Sequence, residues 1–223
     1  HGGQRALFGV WPQAEANFPK TTTEPTIEYP EMAASDLDAE SVLSRMKLSG
    51  DSCPNGDWGY ASLIVLSPSA STTDANCEDN DAEAASFLNG DALPVVSQGP
   101  TLEGLQAVWS EIGVILPDTR VTEIVWRSGV DIVPGDADQP GFHRTLGEGV
   151  AIWVSDPRAS LGTTPFALSK VSPTAVWDAL GQAAKQLGGD RAKLTFDLYS
   201  SEDKVFLRAM DGLGTAVVTV ATS

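Results

Sequence analysis

Apolar and polar positions alternate most regularly in the last fifty or so residues, and that stretch predicts the frame for the rest of the chain. Val176, Leu180, Ala183 and Leu187 recur at the spacing of one helical stripe, which Trp177 and Ala184 widen. Ser172 stands at the N-cap and Pro173 at the first helical position, where a missing N–H costs nothing. Gly188 and Gly189 supply the positive φ that closes a helix. The spacing therefore predicts a helix over 172–187, in which Gly181 costs ~1 kcal/mol against Ala and marks a close approach to a sheet. After residue 192 the period becomes two. Leu194, Phe196 and Leu198 face one way, and Thr195, Asp197 and Tyr199 the other. A polar loop at 200–203 and the turn Asp211-Gly212-Leu213-Gly214 separate two further apolar runs. Loops this short join antiparallel neighbours, so the chain ends in a helix and a three-stranded meander.

Upstream the pattern breaks into shorter pieces. Pro12, Pro19, Pro25 and Pro30 keep residues 1–34 an extended arm, pinned by Leu7, Phe8, Val10, Trp11 and Phe18. A helix opens at Ser35 or Asp36 and runs to about Leu48. Asp36, Asp38 and Glu40 favour its N-terminal dipole, and Leu43 and Met46 form its buried side. Residues 58–66 read as a strand whose Leu63-Ile64-Val65-Leu66 run implies burial on both faces. Residues 67–91 read as a long polar excursion with a helical turn at 81–88, followed by a short strand at 93–97. Leu105, Val108, Trp109 and Ile112 fit a helix, but Ile112, Val114 and Leu116 alternate, so a helix or turn giving way to a strand at Ile112 is expected. A strand pair or one bent strand, broken at Ser128-Gly129, spans 121–133. Another strand at 149–155 sets Val150, Ile152 and Val154 opposite Trp153. The sum is one domain over 1–223, mainly β within the α+β class. An antiparallel barrel or sandwich with one or two short helices is expected.

Composition supports a folded domain, with 42% hydrophobic and 20% charged residues among 223. The charge adds more. Fourteen Lys and Arg against 30 Asp and Glu leave −16, which repels nucleic acid and anionic membrane surfaces. No apolar run approaches the roughly 20 residues that span a bilayer, so neither nucleic acid nor membrane insertion is expected. The N-terminus shows no charged-then-apolar signal sequence. Residues 48–119 contain no Lys or Arg and read as a solvated acidic lobe, Glu111 included. Cys53 and Cys77 lie in turn-rich contexts and suit an extracellular disulfide worth roughly 3 kcal/mol.

Catalytic signatures are sparse. There is no G-x-S-x-G elbow, P-loop or G-x-G-x-x-G. His143 is the one internal histidine and reads as part of a loop before the strand at 149. Asp79, Asp81 and Glu83 alternate as calcium ligands would. The string from Asp136 also opens like a calcium loop but has Pro140 and Gly147 where oxygen ligands belong. His1-Gly2 resembles the mature start of lytic polysaccharide monooxygenases. That resemblance covers two residues and implies a copper ion held by His1 and His143. The remaining chain departs from that family.

The overall texture also carries a resemblance. Short strands in Gly-, Pro- and Thr-rich loops, an acidic surface and a β-rich end resemble the projecting spike or protrusion domain of an RNA-virus capsid, of astrovirus type. The likeness is one of style and carries over no residue. It implies a non-enzymatic module without cofactors, at a virion surface or outside the cell, that forms dimers and attaches to a protein or glycan receptor. Trp11, Trp58, Trp109 and Trp153 would then serve contacts if they do not pack in the core. The alternative is a secreted, copper-dependent polysaccharide monooxygenase or another carbohydrate-active protein.

Overall fold

Two hydrophobic periods, one of helices and one of strands, meet in a single core. A computed structural model describes residues 39–53, 58–67, 70–77, 85–116, 120–135, 140–147, 152–155 and 164–222. The expected arm over 1–34 lies outside them. In chain order the elements are α1 (Ala39–Gly50), β1 (Trp58–Ser67), β2 (Ala70–Cys77), β3 (Phe87–Leu88), β4 (Asp91–Ala92) and α2 (Leu102–Ile115). Then follow β5 (Arg120–Trp126), β6 (Gly129–Pro134), β7 (Gly141–Thr145), β8 (Ile152–Ser155), β9 (Phe166–Ala167) and α3 (Pro173–Leu187). β10 (Thr195–Ser201), β11 (Lys204–Met210) and β12 (Thr215–Val220) end the chain.

The expected mainly β, α+β architecture is present, with antiparallel pairing throughout and the helix-plus-meander at its end. The larger sheet runs β12-β11-β10-β5-β6-β7-β8, with the short β9 pairing to the start of β5. The smaller runs β1-β2-β3-β4 and leans on the same core through Leu66, Ala70 and Leu88. Thr72 Oγ1 donates to the Ile152 carbonyl at 3.2 Å and ties β2 to β8. Three α-helices stand among the described residues, the last of them the helix expected before the meander.

The C-terminal unit follows its pattern closely. Ser172 Oγ accepts from the Ala175 N–H, Pro173 opens α3, and Gly188 closes it in the left-handed region at φ 71°. Val176, Ala179, Leu180, Ala183 and Ala184 are buried, and α3 lies across β11 and β12. Gly181 faces an arginine and not the sheet that the sequence led one to expect. A Cβ there would meet Arg191 Nη1 at 3.5 Å, and the Arg191 guanidinium sits 3.7 Å over the Trp177 ring.

Elsewhere tertiary packing overrides the local pattern. Residues 112–115 do not leave the helix for a strand. Thr101 Oγ1 accepts from the Gly104 N–H at 3.0 Å, and Leu105, Val108, Trp109, Ile112 and Ile115 form one buried stripe in α2. The alternation of Val114 is incidental, since its side chain is exposed. Within the long excursion after residue 67, the described residues 70–77 form a strand. β2 pairs antiparallel with β1, with a register shift near each end of β1; β3 takes the end of the 81–88 stretch where a helical turn was expected, and a two-residue turn at Asn89-Gly90 joins it to β4. Residues 93–97 form no strand; Val96 is buried and accepts from the Gly147 N–H, while Val95 is exposed. Leu43 lies on the exposed side of α1, and Met46 is buried. The Leu63–Val65 run is only half buried, so β1 is not covered on both faces.

Candidate functional site

Cross-strand register decides which side chains share a face, since residues directly opposite in an antiparallel pair point the same way. Leu207, Leu198, Ile124, Ile132 and Phe142 form one such row, on the face that α2 and α3 cover. The row beside it on the other face runs Val217, Arg208, Asp197, Val125, Asp131, His143. A parallel row carries Thr219, Phe206, Tyr199 and Glu123. One face of the sheet is therefore apolar, and the other carries a band of charged and aromatic groups.

Asp197 anchors that band. It is fully buried, and a buried carboxylate needs charged or hydrogen-bonding partners. Arg208 supplies Nε to Oδ2 at 2.9 Å and Nη2 to the same oxygen. Arg127 adds Nη2 to Oδ1 at 3.2 Å. The arginine side chains remain 32% and 51% exposed, so each guanidinium is held on its inner side and open on its outer side. Beside them Tyr199 and Phe206 stack at 5.8 Å, both half-buried.

His143 sits farther along the band. It belongs to strand β7 and not to the expected loop, because Val130–Arg144 and Asp131–His143 pairing extends the sheet through it. Nδ1 lies 2.6 Å from Asp131 Oδ1, with the carboxylate accepting. The Cε1–Nε2 edge lies against Gly129, where an added Cβ would collide with the ring. A histidine oriented by a carboxylate is half of a proton-transfer pair. Here the ring's other edge packs on Gly129.

On the helix-covered side Arg144 and Glu111 form a second buried ion pair. Arg144 Nε to Glu111 Oε2 is 2.6 Å and Nη2 to Oε1 is 3.0 Å, a bidentate contact joining β7 to α2. Arg144 also donates to the carbonyls of Thr145 and Pro94. Burial pushes the Glu111 carboxyl above its ordinary range, against the opposing pull of Arg144. Glu111 is thus not part of a solvated acidic lobe.

Cys53 and Cys77 form the expected disulfide, with Cα atoms 5.5 Å apart. It staples the end of α1 to the last residue of β2. Asp79, Asp81, Glu83 and His1 lie outside the described residues, as do residues 136–139. Among the described residues no group of three or more His, Cys, Asp or Glu side chains could hold a metal ion, and no helix is long and apolar enough to cross a membrane. Trp109 is a core residue whose Nε1 donates to the Val171 carbonyl at 2.8 Å. Trp126, not singled out by the sequence pattern, is fully buried and stacks on Phe196.

Compared with known protein families, curated proteins and solved structures, the chain matches none.

The Asp197 cluster escaped sequence reasoning, although the signal was present. A two-residue loop at Glu202-Asp203 sets Ser201 opposite Lys204, and counting back places Asp197 opposite Arg208. Arg127 could not be found this way, because its approach depends on β10 pairing with β5 across 70 residues of chain.

Proposed function

We propose that this is a non-enzymatic binding module, working outside the cell or at a virion surface, which engages its partner through the charged and aromatic face of its terminal meander. The observation that carries this reading is the cluster of half-exposed Arg127, Arg208, Tyr199 and Phe206 around the buried Asp197. Arginine and aromatic side chains are enriched at interface centres, and here the sheet and Asp197 hold them in place before any partner arrives. The partner class is a protein or glycan that presents a carboxylate or sulfate beside apolar surface, because an arginine fork matches such groups. The net charge of −16 does not prevent this, since the Debye length at physiological salt is about 8 Å and contact recognition is local. The disulfide suits an oxidising compartment.

The test is binding of the intact chain to arrays of sialylated and sulfated glycans and to receptor-bearing cells, with Arg127→Ser and Phe206→Ser alongside. Binding lost in both variants, with the fold retained by circular dichroism, is the expected result. Equal binding by wild type and variants, or none by wild type in either format, would remove the proposal. The virion setting is its narrower form, in which the same face would meet a host receptor.

A further inference from the structure

The larger sheet ends at β12, and this edge has an unusual composition for an acidic chain. Thr215-Ala216-Val217-Val218-Thr219-Val220 contains no charge and no proline, although the molecule carries −16 overall. Among the described elements β12 pairs with β11 alone, in an unbroken register from Val205–Val220 to Met210–Thr215. One row of backbone N–H and C=O groups therefore faces outward along a regular, untwisted-by-bulge strand. Natural edges are normally blunted by lysine, proline or a bulge, and β12 has none of these. Its side chains alternate between buried Ala216, Val218 and Val220 and exposed Thr215, Val217 and Thr219. Leu213, in the turn leading into the strand, is 98% exposed.

We infer that β12 is the interface for a second copy of this chain, paired antiparallel across a two-fold axis at Val217. This goes beyond the binding reading above and does not depend on it. Strands that face the same way across such an axis must pair residues of equal parity, so Thr215 falls opposite the partner's Thr219 and Ala216 opposite the partner's Val218. Threonine meets threonine on one face and apolar meets apolar on the helix-covered face. The pairing also brings exposed Leu213 opposite the partner's Ala221, itself exposed. The strand's own alternation, which maps onto itself about Val217, selects this occupant, and charge limits where it docks. Two copies of a −16 molecule repel, and a charge-free strand is where they can approach without opposing like charges. An axis at Val218 would instead leave Leu213 beyond the paired residues, opposite position 223.

The experiment is sedimentation equilibrium of the whole chain at physiological salt, with Val217→Lys and Val217→Cys. Wild type is expected to dimerise. Val217→Lys sets two ammonium groups against each other on the axis and weakens the dimer at least about tenfold. Val217 is half exposed, so the substitution spares the core. Directly opposed Cα atoms lie within the span a disulfide bridges, so Val217→Cys crosslinks into a covalent dimer on mild oxidation. A monomer at several hundred micromolar overturns the inference and leaves the edge to a different protein's strand. A dimer that survives Val217→Lys and does not crosslink through Val217→Cys overturns it equally.

Discussion

The buried charges Asp197, Glu111 and Arg144 are held by specific atoms, and removing one partner exposes what the other was worth. Glu111→Ala leaves Arg144 buried without its bidentate carboxylate, and a loss of about 3–5 kcal/mol in urea unfolding is expected. The double variant Glu111→Leu, Arg144→Met removes both charges and recovers part of that loss. Recovery stays incomplete because the Thr145 and Pro94 carbonyls lose their donor, at about 1–3 kcal/mol for a carbonyl left unsatisfied. Asp211 shows the opposite balance at the surface. The backbone N–H groups of Leu213 and Gly214 hold its carboxylate below the ordinary aspartate range. A lowered folded-state value means that its stabilising contribution is present above the unfolded-state value and lost as pH falls through the folded one. Carbon-detected NMR titration should show Asp211 ionising below free aspartate, and Asp211→Ala should flatten the acid limb of the stability curve. Both turn and carboxylate are visible in the string Asp211-Gly212-Leu213-Gly214. Neither Glu111 nor Arg144 announces its burial, because their contact spans 33 residues of chain.

Elements formed where local chemistry agreed with the final packing. α3 combined an N-cap, a proline start, one apolar stripe and a glycine stop, and its limits were readable from the residues. The tight turn between β10 and β11 is less favourable. Glu202 and Asp203 both lie in the left-handed region, at φ 51° and 61°, where L-residues other than Gly, Asn and Asp pay about 1–2 kcal/mol, so the strain falls on Glu202. Replacing them by Asn-Gly, the pair that two-residue hairpins prefer, should raise stability by about 1 kcal/mol and the melting temperature by about 2–4 °C. An unchanged or lower melting temperature by calorimetry would show that the turn is not a source of strain. Asn89-Gly90 already uses this chemistry between β3 and β4. That dipeptide was the legible signal for a hairpin inside what the polar composition made look like a loop.

On the scale of the whole molecule, α1 joins the small sheet through the Cys53–Cys77 disulfide. With the cysteines 24 positions apart in the chain, the double variant Cys53→Ser, Cys77→Ser should lose ~3 kcal/mol by chemical denaturation. Reduction of the wild type should reproduce the loss. The residues alone determined the mainly β class, the terminal helix and meander, the acidic balance and the cysteine pairing, since each rests on neighbours or on short, regular spacing. Tertiary structure decided the rest. It kept residues 112–115 helical because the buried stripe of α2 outweighed a three-residue alternation, and it drew 70–77 into a strand because β1 offered a partner. It also brought Arg127, from the turn after β5, and Arg208, from β11, onto one buried carboxylate. Periodicity reports which way a side chain faces along one strand or helix. Only pairing between distant segments reports what it faces.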